Sequence, residues 1–543
     1  QVVFRTRDQG QTWDVISPDL STRDPDRVAW SGGIPGAEPE NVIGDNLGQF
    51  YGEVVFAIAP SKLEPGLIWA GTNDGLVWVT RDGGENWSRV SDNASDLPEW
   101  GTIRRIEPSA FDAGTAYVTV DLHLMDDRRP WAYKVTDYGR SWRKITGDLP
   151  AAHPLDYLMA VAENPNREGM LFAGTGHAFF YSMDDGRHWT QLQNGLPAAP
   201  VSWVVVEPRY HDLVVSTYGR GLFVLRDITR LEQGDRYAGG VHLFDPRPGF
   251  RKGRGGGADF LYALPADPAE PVRFDILDAA GSVIRTFGTR GKAGLNTAHW
   301  DLLYDGPDQP ALRTLPPDNP HIWDEARFRG QETRPIVHWG IQSPQRRGPI
   351  AVPGDYTVRV TVGGERRERG FTVLKDPALT TSDEDLIAST RTQVRIRDGI
   401  DRTVDMINRL EIMRKQIEDV RASHVGDDDA LDALAALDET MYGAEMHFLS
   451  RTDVHSDDKW YVEGYKVYMQ YLWLSAEAGL GAGDVQGGAE YRPTAAAMKW
   501  LEDVEAELRE GAEAFRRIVQ EEVPAFNREW AGRLPPIAPP LIS

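Results

Sequence analysis

The densest group of side chains able to do chemistry is Asp121, His123, Asp126, Asp127, Arg128 and Arg129, where acids, an imidazole and guanidinia crowd between two β-rich stretches. Carboxylates and an imidazole can pass protons or orient a hydroxyl, and a guanidinium grips a carboxylate through paired hydrogen bonds. The cluster could therefore position a carboxylate or a sugar. The competing reading is a solvated, salt-bridged hairpin insertion, or one that contacts a neighbouring domain. Glu53, Asp74, His177, Tyr218 and Arg220 are further ligand-binding candidates, because each flanks a short strand-like run.

Other chemistries find little support. The 543 residues include no cysteine, so disulfides, thiolate zinc sites, iron–sulfur clusters and cysteine nucleophiles are excluded. There is no Gly-x-Ser-x-Gly elbow, Walker loop, His-Glu-x-x-His or EF-hand loop. The 12 histidines are scattered and predict no transition-metal cage, so no metal site is assigned. No cofactor is required, although acidic loops make bound calcium possible. Residues 251–258 formally match a dinucleotide fingerprint, but the strand-like 260–264 follows where a helix is needed, so a loop is the better reading. With 59 basic and 82 acidic side chains the net charge is −23, which repels nucleic acid and anionic lipid. No apolar stretch is long enough for direct membrane insertion.

The elements that must position these residues announce themselves by repetition. Ser/Thr-x-Asp-x-Gly-x-x-Trp occurs with Asp8, Gly10 and Trp13, with Asp82, Gly84 and Trp87, and with Asp184, Gly186 and Trp189. A fourth copy, Asp137, Gly139 and Trp142, has Val135 in place of the hydroxyl. Such a spacing predicts a hairpin turn: the carboxylate accepts backbone N–H groups, glycine supplies a positive φ, and tryptophan folds back as an apolar plug. These residues are read as structural. Prolines at 60, 108, 165 and 208 end strands, and short β-rich runs follow at 67–72, 116–120, 171–175 and 213–217. A unit of roughly 45 to 60 residues with about four short strands is the signature of a β-propeller blade.

The turns resemble the Asp-box or BNR repeats of sialidases, xyloglucan-type glycosidases and sortilin-type receptors. The chain as a whole resembles the C-terminal part of large secreted bacterial sortilin-like, glycosyl hydrolase-like proteins. That likeness rests on Tyr51-Gly52-Glu53, Gly71-Thr72-Asn73-Asp74-Gly75, His123-Leu124-Met125-Asp126-Asp127 with Arg129-Pro130, and Thr217-Tyr218-Gly219-Arg220-Gly221. It implies a propeller followed by a small β-domain and a helical tail, and a secreted, periplasmic or cell-surface location. In such propellers the Asp boxes brace peripheral hairpins, and ligands bind at the channel mouth.

The fold class expected is mainly β and multidomain. Residues 1–228 are propeller blades in an incomplete ring, and 229–270 a linker. Residues 271–376 form an immunoglobulin-like β-sandwich with an irregular insertion near 305–350. An antiparallel helical bundle occupies 377–534 and a Pro-rich tail 535–543. Only four to five blades fit, the first beginning at its third strand, and the absence of an initiator methionine reads as a mature or cleaved product. The ring is expected to close against an N-terminal propeller portion or another chain, with a homo-oligomer also possible. In the tail, Trp460, Tyr461, Tyr465, Tyr468, Tyr471 and Trp473 are expected to pack within the bundle.

Functionally, the reading is a non-catalytic extracytoplasmic binding or scaffold protein that recognises a protein, peptide or glycan. The alternative is a sialidase- or xyloglucanase-like glycoside hydrolase with its centre partly in missing blades, although neither an arginine triad nor a paired-acid signature is visible. Peptide capture in the propeller tunnel, as in sortilin-type receptors, is a third reading.

Overall fold

The computed structural model describes residues 2–22, 54–193, 195–234, 239–251, 256–317, 319–338, 340–455 and 463–540. Glu53, with Tyr51 and Gly52, lies outside them, as do Trp460 and Tyr461. The chain divides into two compact units, Gln1–Ala238 and Gly239–Ser543.

The first unit is a series of antiparallel meanders. A hairpin of β1 (Phe4–Arg5) and β2 (Asp14–Val15) comes first. Three four-stranded sheets follow. The first is β3 (Val55–Pro60), β4 (Ile68–Thr72), β5 (Val77–Thr80) and β6 (Ser88–Arg89). The second is β7 (Thr102–Pro108), β8 (Ala116–Asp121), β9 (Trp131–Thr136) and β10 (Ser141–Lys144). The third is β11 (Leu158–Glu163), β12 (Leu171–Thr175), β13 (Phe179–Ser182) and β14 (Thr190–Gln191). A three-stranded sheet of β15 (Val201–Glu207), β16 (Asp212–Thr217) and β17 (Gly221–Leu225) closes the series. In every sheet the strands lie in chain order, and the first strands pack on one another, β3 on β7, β7 on β11 and β11 on β15. These are propeller blades. Every residue of β8, β11 and β12 is buried, as a strand covered on both faces requires.

The turns between the third and fourth strands share one bonding scheme. Thr6 Oγ1 donates to Asp8 Oδ1 at 2.9 Å and accepts the Gly10 N–H at 2.8 Å, while Asp8 Oδ1 accepts the Thr12 N–H at 2.9 Å. Thr80, Asp82, Gly84 and Asn86 repeat it, as do Ser182, Asp184, Gly186 and His188. The fourth turn departs from expectation. Without a hydroxyl at Val135 the Asp137 carboxylate is exposed and makes none of these bonds, and Asp137 and Tyr138 take positive φ of 53° and 56° instead. Asp137 is therefore not the brace it was expected to be.

The same turns join each blade to the one before. Trp87 Nε1 donates to the Ile16 carbonyl at 2.7 Å, and Trp189 Nε1 to the Ile145 carbonyl at 2.9 Å. A Cβ on Gly84 or Gly186 would stand 2.4 or 2.6 Å from those carbonyl oxygens, and one on Gly139 would stand 2.4 Å from Val90 Cβ. Ile16, Val90 and Ile145 each follow the last strand of the preceding blade, where their N–H groups bond back to Val3, Val77 and Ala132. Among the described residues the first turn has no such neighbour. The atom nearest a Cβ on Gly10 would be its own Trp13, at 3.9 Å, and Trp13 is 59% exposed.

The second unit begins with a two-layer β-sandwich. One sheet has the order β18 (His242–Leu243), β20 (Ala258–Leu264), β23 (Gly294–Trp300). The other runs β19 (Gly249–Arg251), β25 (Glu365–Lys375), β24 (Gly354–Val362), β21 (Val272–Leu277), β22 (Val283–Thr289). The layers meet in a core that includes Phe260, Phe274, Trp300, Tyr356 and Phe371. The expected linker at 229–270 is corrected here: it supplies a short helix, α1 (Thr229–Gln233), and three sandwich strands. Seven residues of β20 pair with β23, a partner too distant in sequence for local turn signals to reveal. The sandwich accordingly starts near 241, not 271.

Helices complete the unit: α2 (Asp383–Ser423), α3 (Asp428–Glu445), α4 (Arg451–His455), α5 (Val467–Ala478), α6 (Ala495–Arg517) and α7 (Val523–Glu529). Ser382 caps α2 by accepting the Asp385 N–H at 3.1 Å, and the stripe Ile400, Val404, Ile407, Leu410, Ile417 and Val420 is buried. Tyr468 and Tyr471 lie in this core. So do Leu312 and Ile336, which places part of the 305–350 insertion on the helices. The Pro-rich tail is pinned rather than loose, since Asn527 exchanges two hydrogen bonds with the Ile537 backbone. Arg251 is fully buried, bonded to the carbonyls of Ala351 and Ala489, to Thr390 and to Glu490.

Candidate functional site

Blade topology carries the loops between second and third strands to the same end as the loops that enter each first strand. The β4–β5 loop holds Asp74, the β8–β9 loop Asp121 to Arg129, the β12–β13 loop His177, and the β16–β17 loop Tyr218 and Arg220. All the sequence candidates among the described residues thus belong to one loop end.

Two of them fall into a shared cluster. Asp121 ends β8 and is buried. Its Oδ2 accepts from Arg104 Nη1 at 3.0 Å, while Oδ1 accepts the His123 N–H at 3.0 Å and lies 2.6 Å from His123 Nδ1. The His123 ring stacks on Tyr157 at 4.3 Å between centroids and 13° between planes. Tyr157 enters from the next blade, where burial first and the Asp121 charge second push its hydroxyl pKa up, against Arg104 and Arg128.

Beside it, His177 Nε2 lies 2.9 Å from Oδ1 of the buried Asp156, and the His177 ring stacks on His153 at 4.3 Å between centroids. The other carboxylate oxygen of Asp156 accepts the His153 N–H at 2.7 Å, and the Leu155 N–H donates to His153 Nδ1 at 3.1 Å. Gly176 lets the two loops meet. A Cβ there would stand 2.9 Å from the Leu155 carbonyl oxygen and 3.0 Å from the Tyr157 ring. Thr175 Oγ1 accepts the N–H groups of His177 and Ala178 and so fixes the turn that presents the imidazole.

The remaining candidates are placed apart. Asp74 is buried, with Oδ2 accepting the Thr22 N–H at 2.7 Å, which is a structural bond. Asp127 holds Arg129 through bonds of 2.9 and 2.7 Å and accepts from Trp131 Nε1 at 3.1 Å. Its pKa falls to about 2, chiefly through Arg129. Asp126 caps the short turn His123–Met125 at φ +63°, with Arg128 3.6 Å away. This stretch is the salt-bridged hairpin of the competing reading. Tyr218 and Arg220 project into solvent.

Sequence reasoning missed Arg104, His153, Asp156 and Tyr157. None sits in a motif. Their one signal is position, just before or at the start of the first strand of a blade, opposite the loop that holds a named candidate. The expectation of scattered histidines also needs revision, because one ligand atom each from His153, Asp156 and His177 lie within 4.8 Å of one another. Each His–Asp contact engages one ring nitrogen, so the cluster can orient imidazoles, donate or accept hydrogen bonds, and bind a cation.

No protein-family model matches the chain, and no curated protein does. Solved structures similar in part include an ancestral GH74 enzyme at 12% identity and a TM-score of 0.28, aligned over 53% of this chain and 35% of that one. YCF48 bound to D1 peptide is 15% identical with a TM-score of 0.23, over 39% and 63%. PorZ, a surface component of the type-IX secretion system of Porphyromonas gingivalis, is 12% identical with a TM-score of 0.21, over 67% and 55%. The chain spans about a third of the ancestral enzyme and little more than half of PorZ. At these scores the blade assignment stands on strand order alone. No helix among the described residues is long and apolar enough to cross a membrane.

Proposed function

We propose that the protein is a non-catalytic, extracytoplasmic binding scaffold whose propeller ring is completed by an N-terminal propeller portion or another chain of the same repeat class. The observation that carries this reading is the vacant seam at Gly10 and Trp13. At the second and last of these turns the tryptophan is bonded to a carbonyl of the preceding blade and the glycine is pressed against that same backbone, and at Gly139 the glycine is pressed against the Val90 side chain; among the described residues nothing stands in that position at the first turn. Exposed Phe4 and Val15 extend that apolar surface, and Leu222 and Val224 expose another on the last blade. The occupant fitting the first seam is a β-branched residue after a strand, its carbonyl aimed at Trp13 Nε1.

The hydrolase reading has less support. Among the described residues of the loop end, Asp121, Asp127 and Asp156 are each paired with an arginine or a histidine, an arrangement of ion pairs rather than of two facing acids. The Asp-box and sortilin-like assignment, the secreted location and the immunoglobulin-like label for the sandwich belong to this same proposal.

Native mass measurement of the untagged protein from its own source tests it. The expected result is either a stoichiometric partner bearing further Ser/Thr-x-Asp-x-Gly-x-x-Trp turns and released by Trp13→Glu, or a longer chain that carries such turns ahead of these residues and melts lower with Trp13→Glu. A lone chain, with mass and melting temperature unmoved by Trp13→Glu, would overturn it.

A further inference from the structure

We propose that His153, Asp156 and His177 form a divalent transition-metal site of the Zn²⁺ class at the loop end of the third four-stranded blade. Two imidazoles and one carboxylate are a ligand set for borderline divalent ions, which favour nitrogen and oxygen donors and leave open positions for water or an incoming group.

The geometry supports it at three points. The His177 Nε2 to Asp156 Oδ1 separation is 2.9 Å. Adjacent ligands on an ion with bonds of about 2.0–2.1 Å stand about 2.9–3.3 Å apart, so this pair already has the spacing of a coordination edge. Asp156 is buried and its Oδ2 is held by the His153 N–H, which leaves Oδ1 as the oxygen facing His177 Nε2. That bond is the outer support that metal-binding carboxylates typically have.

The third ligand needs a small movement. The three atoms lie within 4.8 Å, whereas two ligands of one ion span at most roughly 4.2 Å. His153 is exposed and tethered only by the Leu155 N–H on Nδ1 and by stacking, so it is the side chain free to swing inward. A purely structural role, an Asp–His pair pinning two loops under a stacked imidazole, predicts no stoichiometric metal. The site does not depend on ring closure, so its test is separate from that of the binding scaffold.

The untagged, chelator-treated chain is titrated with Zn²⁺ and Co²⁺, with Mg²⁺ as a control, by calorimetry and by visible absorption of Co²⁺. One Zn²⁺ or Co²⁺ per chain is expected, with Co²⁺ bands typical of nitrogen ligation and no comparable Mg²⁺ binding. His153→Ala and His177→Ala should each weaken that binding at least about tenfold. His188→Ala, at an exposed histidine paired to Asp184 elsewhere, should leave it unchanged. Circular dichroism melts of the metal-free variants establish that they are folded, and His153→Ala removes no buried group. Absence of a stoichiometric site, or a site that survives both His153→Ala and His177→Ala, would overturn the proposal.

Discussion

The turns at Trp13 and Trp189 are close copies in sequence and in hydrogen bonding, yet Trp189 is 9% exposed and Trp13 is 59% exposed. The comparison separates two levels of encoding. The carboxylate, hydroxyl and glycine build the turn by themselves. Burial of the tryptophan is conferred by whatever stands in front of it, here Ile145 for one and no described residue for the other. A blade is thus a local structure whose stability is settled by its neighbour.

The sharpest way to break the comparison is at the glycines. Gly186→Val places side-chain carbon against the Ile145 carbonyl at a φ of +80°, and should cost at least about 4 kcal/mol, enough to lose the folded blade. Gly10→Val, at a φ of +92° but with open space around it, should cost about 1–2 kcal/mol in the isolated chain. Urea unfolding of both variants reads the difference, and equal losses would contradict the role given to the seam.

The tryptophans come next. Trp189→Ala should destabilise by about 3–5 kcal/mol through lost burial and an unpaired Ile145 carbonyl, while Trp13→Ala should change the melting temperature little until a partner is present.

The smallest effect sharpens the local side. Thr12, through its N–H first and its hydroxyl second, holds the Asp8 carboxyl at about 2. At Asp184 burial works upward, but His188 and the turn bonds outweigh it and the group also stands at about 2. With folded values below the unfolded one, each turn's contribution is present above about pH 4 and fades as pH falls through about 2. Carboxylate ¹³C NMR should find the two titrating together, despite their different seams.

Legibility followed the same division. The tryptophan turns, the capped start of α2 and the acid-rich β8–β9 loop are local patterns, and each can be read from residues a few positions apart. Ala258–Leu264 lay within the expected linker because its partner strand is some 30 residues away and a glycine- and arginine-rich stretch precedes it. Of the site, Asp121 and His123 were readable as neighbours. His153, Asp156 and His177 were not, since only the pairing of β11 with β12 brings their loops together and no spacing rule encodes that.

Arg251 carries a consequence for how the second unit can be inherited. It belongs to an edge strand of the sandwich, yet its guanidinium is satisfied by Thr390 on α2 and by the Ala489 and Glu490 segment between α5 and α6. Severing the chain at Asp376 would keep every strand but strand a buried cation without most of its acceptors. Strands and helices there are not interchangeable modules, and a cut between them would leave neither half with its charges matched.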